Sequence, residues 1–111
     1  PLSRLPSIIR IYLEDNQISK IPSFHKNPNL LHLFLTNNKI SDLSPLEELP
    51  GLYWLALDGN QIVDISPLKG LIGLKILELG RNQIFDLTPL EELPKLGYLR
   101  LQGNKIKDIT A

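Results

Sequence analysis

Few side chains in this sequence are of a type that does acid–base, nucleophilic or metal chemistry, and their spacing brings none of them together. There is no cysteine, so thiol nucleophiles, disulfides and thiolate-held zinc are excluded within these 111 residues. The two histidines, His25 and His32, fall in different parts of one repeating unit with no partner spacing. No G-x-S-x-G, P-loop or G-x-G-x-x-G phrase occurs. Asp58-Gly59-Asn60 followed by Asp64 is the nearest approach to a calcium loop. It lacks glycine at the sixth position, and Lys69 stands where the twelfth needs a bidentate acid. The pairs Glu47-Glu48 and Glu91-Glu92 read as solvated surface. What the chain does carry is amide, aromatic and aliphatic side chains on a fixed spacing, and that is the chemistry of recognition. No cofactor or metal is called for.

The spacing belongs to a repeat. Asn16, Asn38, Asn60, Asn82 and Asn104 stand 22 residues apart without a slip. Before Asn60 come Leu52, Leu55 and Leu57, and after it come Ile62 and Ile65. The same offsets are apolar around every asparagine, from Ile8, Ile11, Leu13, Ile18 and Ile21 to Leu96, Leu99, Leu101, Ile106 and Ile109. An L-x-L step puts alternate residues on opposite faces, so each unit predicts a short strand with one buried face. The chain must then return to begin the next strand. The returning half carries Ser44-Pro45-Leu46, Ser66-Pro67-Leu68 and Thr88-Pro89-Leu90. Ser or Thr is expected to cap a short helical turn there, with Pro in its first position. Leu46, Leu68 and Leu90 should point inward, with Leu49, Leu71 and Leu93 beside them. Twenty-two residues leave room for a 3₁₀ turn on the convex side rather than a full helix. In the first unit Pro22-Ser23-Phe24-His25-Lys26-Asn27 replaces this pattern. Phe24 takes the leucine slot, Asn27 stands where a leucine is expected, and a looser turn is predicted.

The asparagines fit the sharp turn that follows each strand. Such a turn leaves amides and carbonyls facing inward, and a carboxamide offers two donors and an acceptor on one short stem. Asn16, Asn38, Asn60, Asn82 and Asn104 therefore read as a structural ladder along the stack.

Residues between the inward leucines point out and align into columns when the strands stack. The first column is Arg10, His32, Trp54, Ile76, Tyr98. The second is Tyr12, Phe34, Ala56, Glu78, Arg100, and the third is Glu14, Thr36, Asp58, Gly80, Gln102. Tyr53 sits at the border. Trp, Tyr and Arg are the types most enriched at binding hot spots. An exposed apolar patch rimmed by Arg10, Asp58, Glu78 and Arg100 predicts a protein-binding site. The same aromatics could instead stack on cross-strand neighbours and only stabilise the sheet. Five strands about 4.8 Å apart span roughly 20 Å, which is narrow for a standard interface of about 800 Å² per partner.

Charge and composition narrow the partner. Twelve basic and twelve acidic residues give a net charge of zero. A nucleic-acid binder usually shows a basic excess, so no nucleic-acid partner is expected. No run of 18 apolar residues is present, so no helical membrane span is expected in this segment. The opening Pro1-Leu2-Ser3-Arg4-Leu5-Pro6 matches Pro45-Leu46-Glu47-Glu48-Leu49-Pro50 in frame, and Ile109-Thr110-Ala111 stops where the next turn would begin. Residues 1–111 thus read as a single array of about five repeats, excerpted from a longer chain with both caps outside it.

The phrase L-x-x-L-x-L-x-x-N-x-I, in five in-frame copies, resembles the 22-residue class of leucine-rich repeats. Two groups share that class: the internalin-like bacterial proteins and the regulatory subunit of protein phosphatase 1 with its relatives. Ile40-Ser41-Asp42-Leu43-Ser44-Pro45-Leu46 and Ile62-Val63-Asp64-Ile65-Ser66-Pro67-Leu68 look most like internalins. Pro-Asn-Leu, Pro-Gly-Leu and Pro-Lys-Leu stand where internalins often have Thr-Asn-Leu. The resemblance implies an α/β, right-handed solenoid with a parallel sheet on its concave face and 3₁₀ turns on its convex face. It also implies a concave surface that grips proteins, exported in the first group and intracellular in the second. Carried over by position, the resemblance points to Tyr12, His32, Phe34, Trp54, Glu78, Tyr98 and Arg100; with Arg10, Asp58 and Ile76 from the columns and rim, these are the expected partner-binding residues. The expected function is a non-enzymatic protein-interaction module. The competing readings are an architectural subunit packed by its edges, and the recognition arm of a multidomain enzyme.

Overall fold

The computed structural model describes residues 9–24 and 26–106. Ile8, His25, Ile109 and the opening and closing phrases at residues 1–6 and 109–111 lie outside the described residues.

Five strands form one sheet in chain order: β1 (Arg10–Tyr12), β2 (His32–Phe34), β3 (Trp54–Ala56), β4 (Ile76–Glu78) and β5 (Tyr98–Arg100). All four pairings are parallel, and each residue faces the one 22 positions along, as in Ile11↔Leu33 and Leu55↔Leu77. A parallel pair needs a crossover, and the crossovers run the same right-handed way, so the chain winds as a coil. The expected fold class is the observed one. No α-helix occurs among the described residues.

The inward leucines form the core. Leu33, Leu55 and Leu77 from the strands, Leu35, Leu57 and Leu79 beyond them, and Leu46 and Leu68 from the convex side are completely buried. Ile11 and Leu99, in the outermost described strands, are covered less fully. Burying a leucine side chain contributes about 1.5–3 kcal/mol. A coil sandwiched between two others thus gains from both sides.

The convex turns are 3₁₀ helices over Ser44–Glu48, Ser66–Gly70 and Thr88–Glu92, each with proline in its first positions and one buried leucine. Their capping differs from the sequence expectation. Ser44, Ser66 and Thr88 are the first helical residues, and the cap positions before them fall on Leu43, Ile65 and Leu87, which make no side-chain capping bond. The cap is an aspartate two residues earlier: Asp42, Asp64 and Asp86 accept the backbone N–H of Ser44, Ser66 and Thr88 through Oδ1 at 3.0, 2.9 and 3.0 Å. This bond, with that from the Ser44 hydroxyl, holds the Asp42 carboxyl below its ordinary value. For Asp86 the Thr88 hydroxyl contributes most, then the N–H.

The first unit has the frame but not the cap. Lys20 occupies the aspartate position, and Pro22, at the position of Ser44, has no N–H to donate. Among the described residues there, no 3₁₀ turn forms. Phe24 still fills the leucine slot, buried, and accepts the Asn27 N–H at 2.8 Å.

Each strand ends in a corner. One residue per coil, immediately before the ladder asparagine, adopts a left-handed backbone: Asp15, Asn37, Gly59, Arg81 and Gly103 have φ of 58°, 60°, 71°, 54° and 79°. Asp, Asn and Gly tolerate that region, whereas an Arg there carries steric cost.

Candidate protein-binding face

Corner and cap together hold three outward residues per coil on a rigid concave sheet. The register aligns Arg10, His32, Trp54, Ile76 and Tyr98 in one row and Tyr12, Phe34, Ala56, Glu78 and Arg100 in the next. The rows are not uniformly open. Arg10, Tyr12 and Tyr98 are exposed, and His32, Trp54, Ile76, Glu78 and Arg100 are half-buried. Phe34 and Asp58, expected at the surface, are buried at 9% and 8% exposure. For each, neighbouring groups on the same face provide the cover.

Phe34 is covered by other rings. Tyr12 stacks on it with centroids 4.8 Å apart and planes 14° from parallel. Trp54 meets its other side edge-on at 5.0 Å. His32 packs against Phe34, Tyr53 and Trp54 at 6.0, 5.9 and 5.6 Å. The Arg10 Nε–H donates to His32 Nδ1 at 3.1 Å, which requires a lone pair there. Burial, and then the Arg10 charge, lower the His32 pKa and favour that neutral form. Ring pairs in such offset and edge geometries contribute about 0.5–1.5 kcal/mol each beyond their burial. Each coil's ring is thereby held in one orientation.

Asp58 is covered by backbone and by an arginine. Its Oδ1 accepts the Gly80 N–H at 2.6 Å. Gly80 lacks the Cβ that would crowd Asp58 Oδ1 and Arg100 Cδ, both 3.3 Å from its ideal position. The Arg100 guanidinium lies between two carboxylates, 3.8 Å from Asp58 and 3.9 Å from Glu78. It also donates to the Tyr98 hydroxyl at 3.3 Å. That bond, followed by the Asp58 charge, raises the Arg100 pKa further. Glu78 Oε1 accepts the Trp54 indole N–H at 2.8 Å. The face thus has a mainly aromatic half over β1–β3 and a mainly charged half over β4–β5, joined by the Trp54–Glu78 bond and by the contacts of Asp58 with Gly80 and Arg100.

Beneath the face lie the asparagines. Asn60 Nδ2 donates to Leu57 O at 2.9 Å in its own coil and to Leu35 O at 3.1 Å in the previous one, while its Oδ1 accepts the Ile40 N–H at 3.0 Å. Asn38 and Asn82 make the equivalent bonds, all three are buried, and Asn104 does the same with partial burial. Asn16 is exposed and donates within its own coil, to Leu13 O and Glu14 O. One carbonyl therefore serves two asparagines: Leu57 O accepts from Asn60 and Asn82.

Sequence reasoning missed an apolar strip along the rim before the strands. Ile9, Leu31 and Tyr53 are exposed at 45%, 39% and 38% in successive coils, and Lys75 and Gly97 end the strip. Extending the column count one residue earlier would have found it. Val63 and Phe85 form a second exposed apolar pair beyond the asparagine turn.

The comparisons with known proteins follow the same frame. The family profile described as "Leucine rich repeat" matches residues 50–106, and one described as "Leucine Rich repeats (2 copies)" matches residues 6–48. The chain belongs to the leucine-rich-repeat family. No curated protein matches it. Among solved structures, this leucine-rich-repeat chain is similar to an internalin (inlF) of Listeria monocytogenes, with 30% identity, a TM-score of 0.83, and coverage of 93% of this chain and 37% of that one. A leucine-rich-repeat protein of Leptospira interrogans matches with 29% identity and a TM-score of 0.81 over 88% of this chain and 26% of that one. The BIR3–SERK2 complex from Arabidopsis thaliana matches with 27% identity and a TM-score of 0.76, over 90% of this chain and 58% of that one. The chain thus spans about a quarter to three-fifths of these relatives. Leucine-rich-repeat domains are generally protein–protein interaction modules and typically not enzymes. Among the described residues no group of three His, Cys, Asp or Glu could hold a metal, and no helix is long and apolar enough to cross a membrane.

Proposed function

We propose that the chain captures a protein partner on its concave face, with Tyr12, Trp54 and Tyr98 as aromatic anchors and Arg10, Glu78 and Arg100 as polar contacts. One observation carries this reading. Tyr12 and Tyr98 are 62% and 48% exposed at positions that the core does not use. Ring contacts hold Tyr12 and Trp54, the Glu78 bond also holds Trp54, and Arg100 bonds the Tyr98 hydroxyl before any partner arrives, which lowers the entropy lost on binding. Phe34 and Asp58 serve as supports beneath the contact surface.

The test is to pan a displayed library of protein fragments on the wild-type chain and rank the clones on Tyr12→Ala with Tyr98→Ala. Both residues are exposed, but Tyr12 also covers Phe34, so a thermal melt must first show that the variant is folded. Loss of at least tenfold affinity for most clones, about 1.4 kcal/mol, is the expected result. Undiminished binding of every clone sinks the reading.

The exposed Ile9, Leu31 and Tyr53 strip favours a second reading, in which the module packs by its rim into a larger assembly. Clones that lose binding on Leu31→Ser and keep it on the tyrosine variant distinguish the two.

A further inference from the structure

Away from the concave face the coil carries two grooves at the same place in the repeat. Between the first and second coils lies one of about 540 Å³, lined by Ser19, Lys20, Lys39, Ser41, Gln61 and Asp42 among others. Two coils on, the equivalent groove is about 170 Å³ and is lined by Val63, Asp64, Phe85 and Asp86. In frame, Ser19 and Ser41 correspond to Val63 and Phe85, and Lys20 corresponds to Asp64. At these three matched positions one groove has two hydroxyls and a cation where the other has two apolar groups and an acid, and the larger groove is lined in addition by Lys39 and Gln61.

The stability of the turn gives no reason for Lys20, since that position is where the other coils place their capping aspartate. Among the described residues neither Lys20 nor Lys39 makes an ion pair. The carboxylate on the wall, Asp42, has its Oδ1 occupied by the Ser44 N–H. Two lysines and one carboxylate thus line the groove, and the carboxylate is already bonded within its own coil.

We propose that this groove binds a small phosphomonoester, such as a sugar phosphate. A phosphate group carries about −1.5 to −2 charge at neutral pH and three strong acceptor oxygens, which two lysines match. Ser19, Ser41 and Gln61 offer hydrogen bonds to a polar body attached to the phosphate. A water molecule occupies about 30 Å³, so a groove of about 540 Å³ holds considerably more than the bare anion.

The experiment is an NMR titration of the isotope-labelled chain with glucose-6-phosphate, with glucose and with sodium chloride at matched ionic strength as controls. Saturable shifts at the amides of Ser19, Lys20, Lys39, Ser41 and Gln61 are expected, with Kd near about 1 mM. Lys20→Gln with Lys39→Gln weakens binding at least about tenfold, because both charges act at close range. Asp42→Asn keeps an oxygen to cap the turn and removes a negative charge, so it tightens binding. Inorganic phosphate binds more weakly than the ester. Shifts that follow ionic strength alone, fail to saturate, or persist in the double variant overturn the proposal. Inorganic phosphate binding as tightly as the ester overturns the assignment of an attached body.

Discussion

The Trp54 indole N–H and Glu78 Oε1 lie 2.8 Å apart across the β3–β4 pair, and this bond joins the aromatic half of the concave face to its charged half. Glu78→Ala removes it and leaves Arg100 with Asp58 as its carboxylate partner. The expected loss is about 0.5–1.5 kcal/mol, the net worth of a hydrogen bond in a half-buried site. Trp54 is the sole tryptophan, so its fluorescence reports on this site alone. Emission should shift to the red and anisotropy should fall. Unchanged emission in the variant means the bond does not hold the ring.

The ladder predicts a graded series. Asn60→Ala strands the buried Ile40 N–H and takes from the Leu35 and Leu57 carbonyls one of the two asparagine donors that each has, at a cost of about 1–3 kcal/mol. Asn16→Ala removes two bonds at an exposed site and should cost less, about 0.5–1 kcal/mol. Denaturant midpoints for the two variants measure the difference. Equal losses would count against a role for burial.

The corner residues give a pair of opposite sign. A Cβ at Gly59 would collide with Asn37 Oδ1 and press on the Arg81 guanidinium, which passes overhead to donate to Asn37 at 3.3 Å. Gly59→Ala, at φ 71°, should destabilise by about 1–2 kcal/mol. Arg81 has φ 54° without glycine's freedom, so Arg81→Asn should stabilise by about 0.5–1 kcal/mol despite losing that exposed bond. Thermal melts of the two variants should move in opposite directions.

Acid should loosen the aromatic half. The folded chain holds His32 below its ordinary value of 6.5 through burial first and the Arg10 charge second. The unfolded chain therefore binds more protons in this range, and stability rises with pH across it. The contribution is complete above pH 6.5 and disappears as the pH falls through the folded value. Protonation also takes the Nδ1 lone pair that accepts from Arg10 and places two cations side by side against Tyr53 and Trp54. Wild type should lose more of its denaturant midpoint than His32→Asn between about pH 7.5 and 5.5. Parallel pH curves for the two proteins would remove His32 from the account.

The solenoid was legible because its determinants are local and repeated. In the inner coils each repeated leucine, asparagine and proline has one environment, set by its offset. The caps were misassigned for a related reason. Ser and Thr are common capping types, but the turn starts one residue earlier than their position suggests, so Asp42, Asp64 and Asp86 take that role. The columns of the concave face follow from the period, but side-chain burial within them does not. Phe34 lies on the outward side yet is buried, because Tyr12 and Trp54 converge on it from neighbouring coils. Asp58 is buried because Gly80, 22 positions along, leaves its amide open. Both outcomes depend on which residues share a row, a pairing that appears only when the units are stacked.

The shared carbonyls of the asparagine ladder also dictate how the array yields to tension. Leu35, Leu57 and Leu79 each accept from asparagines of two coils, so neighbouring coils are spliced in series rather than locked as a block. A pull on the two ends peels the outermost coil first. Each rupture releases one 22-residue unit, roughly 70–80 Å of slack chain, and exposes a fresh coil bearing the same load. Force–extension curves should therefore show steps of equal length, one per coil, while the remaining coils keep their shape.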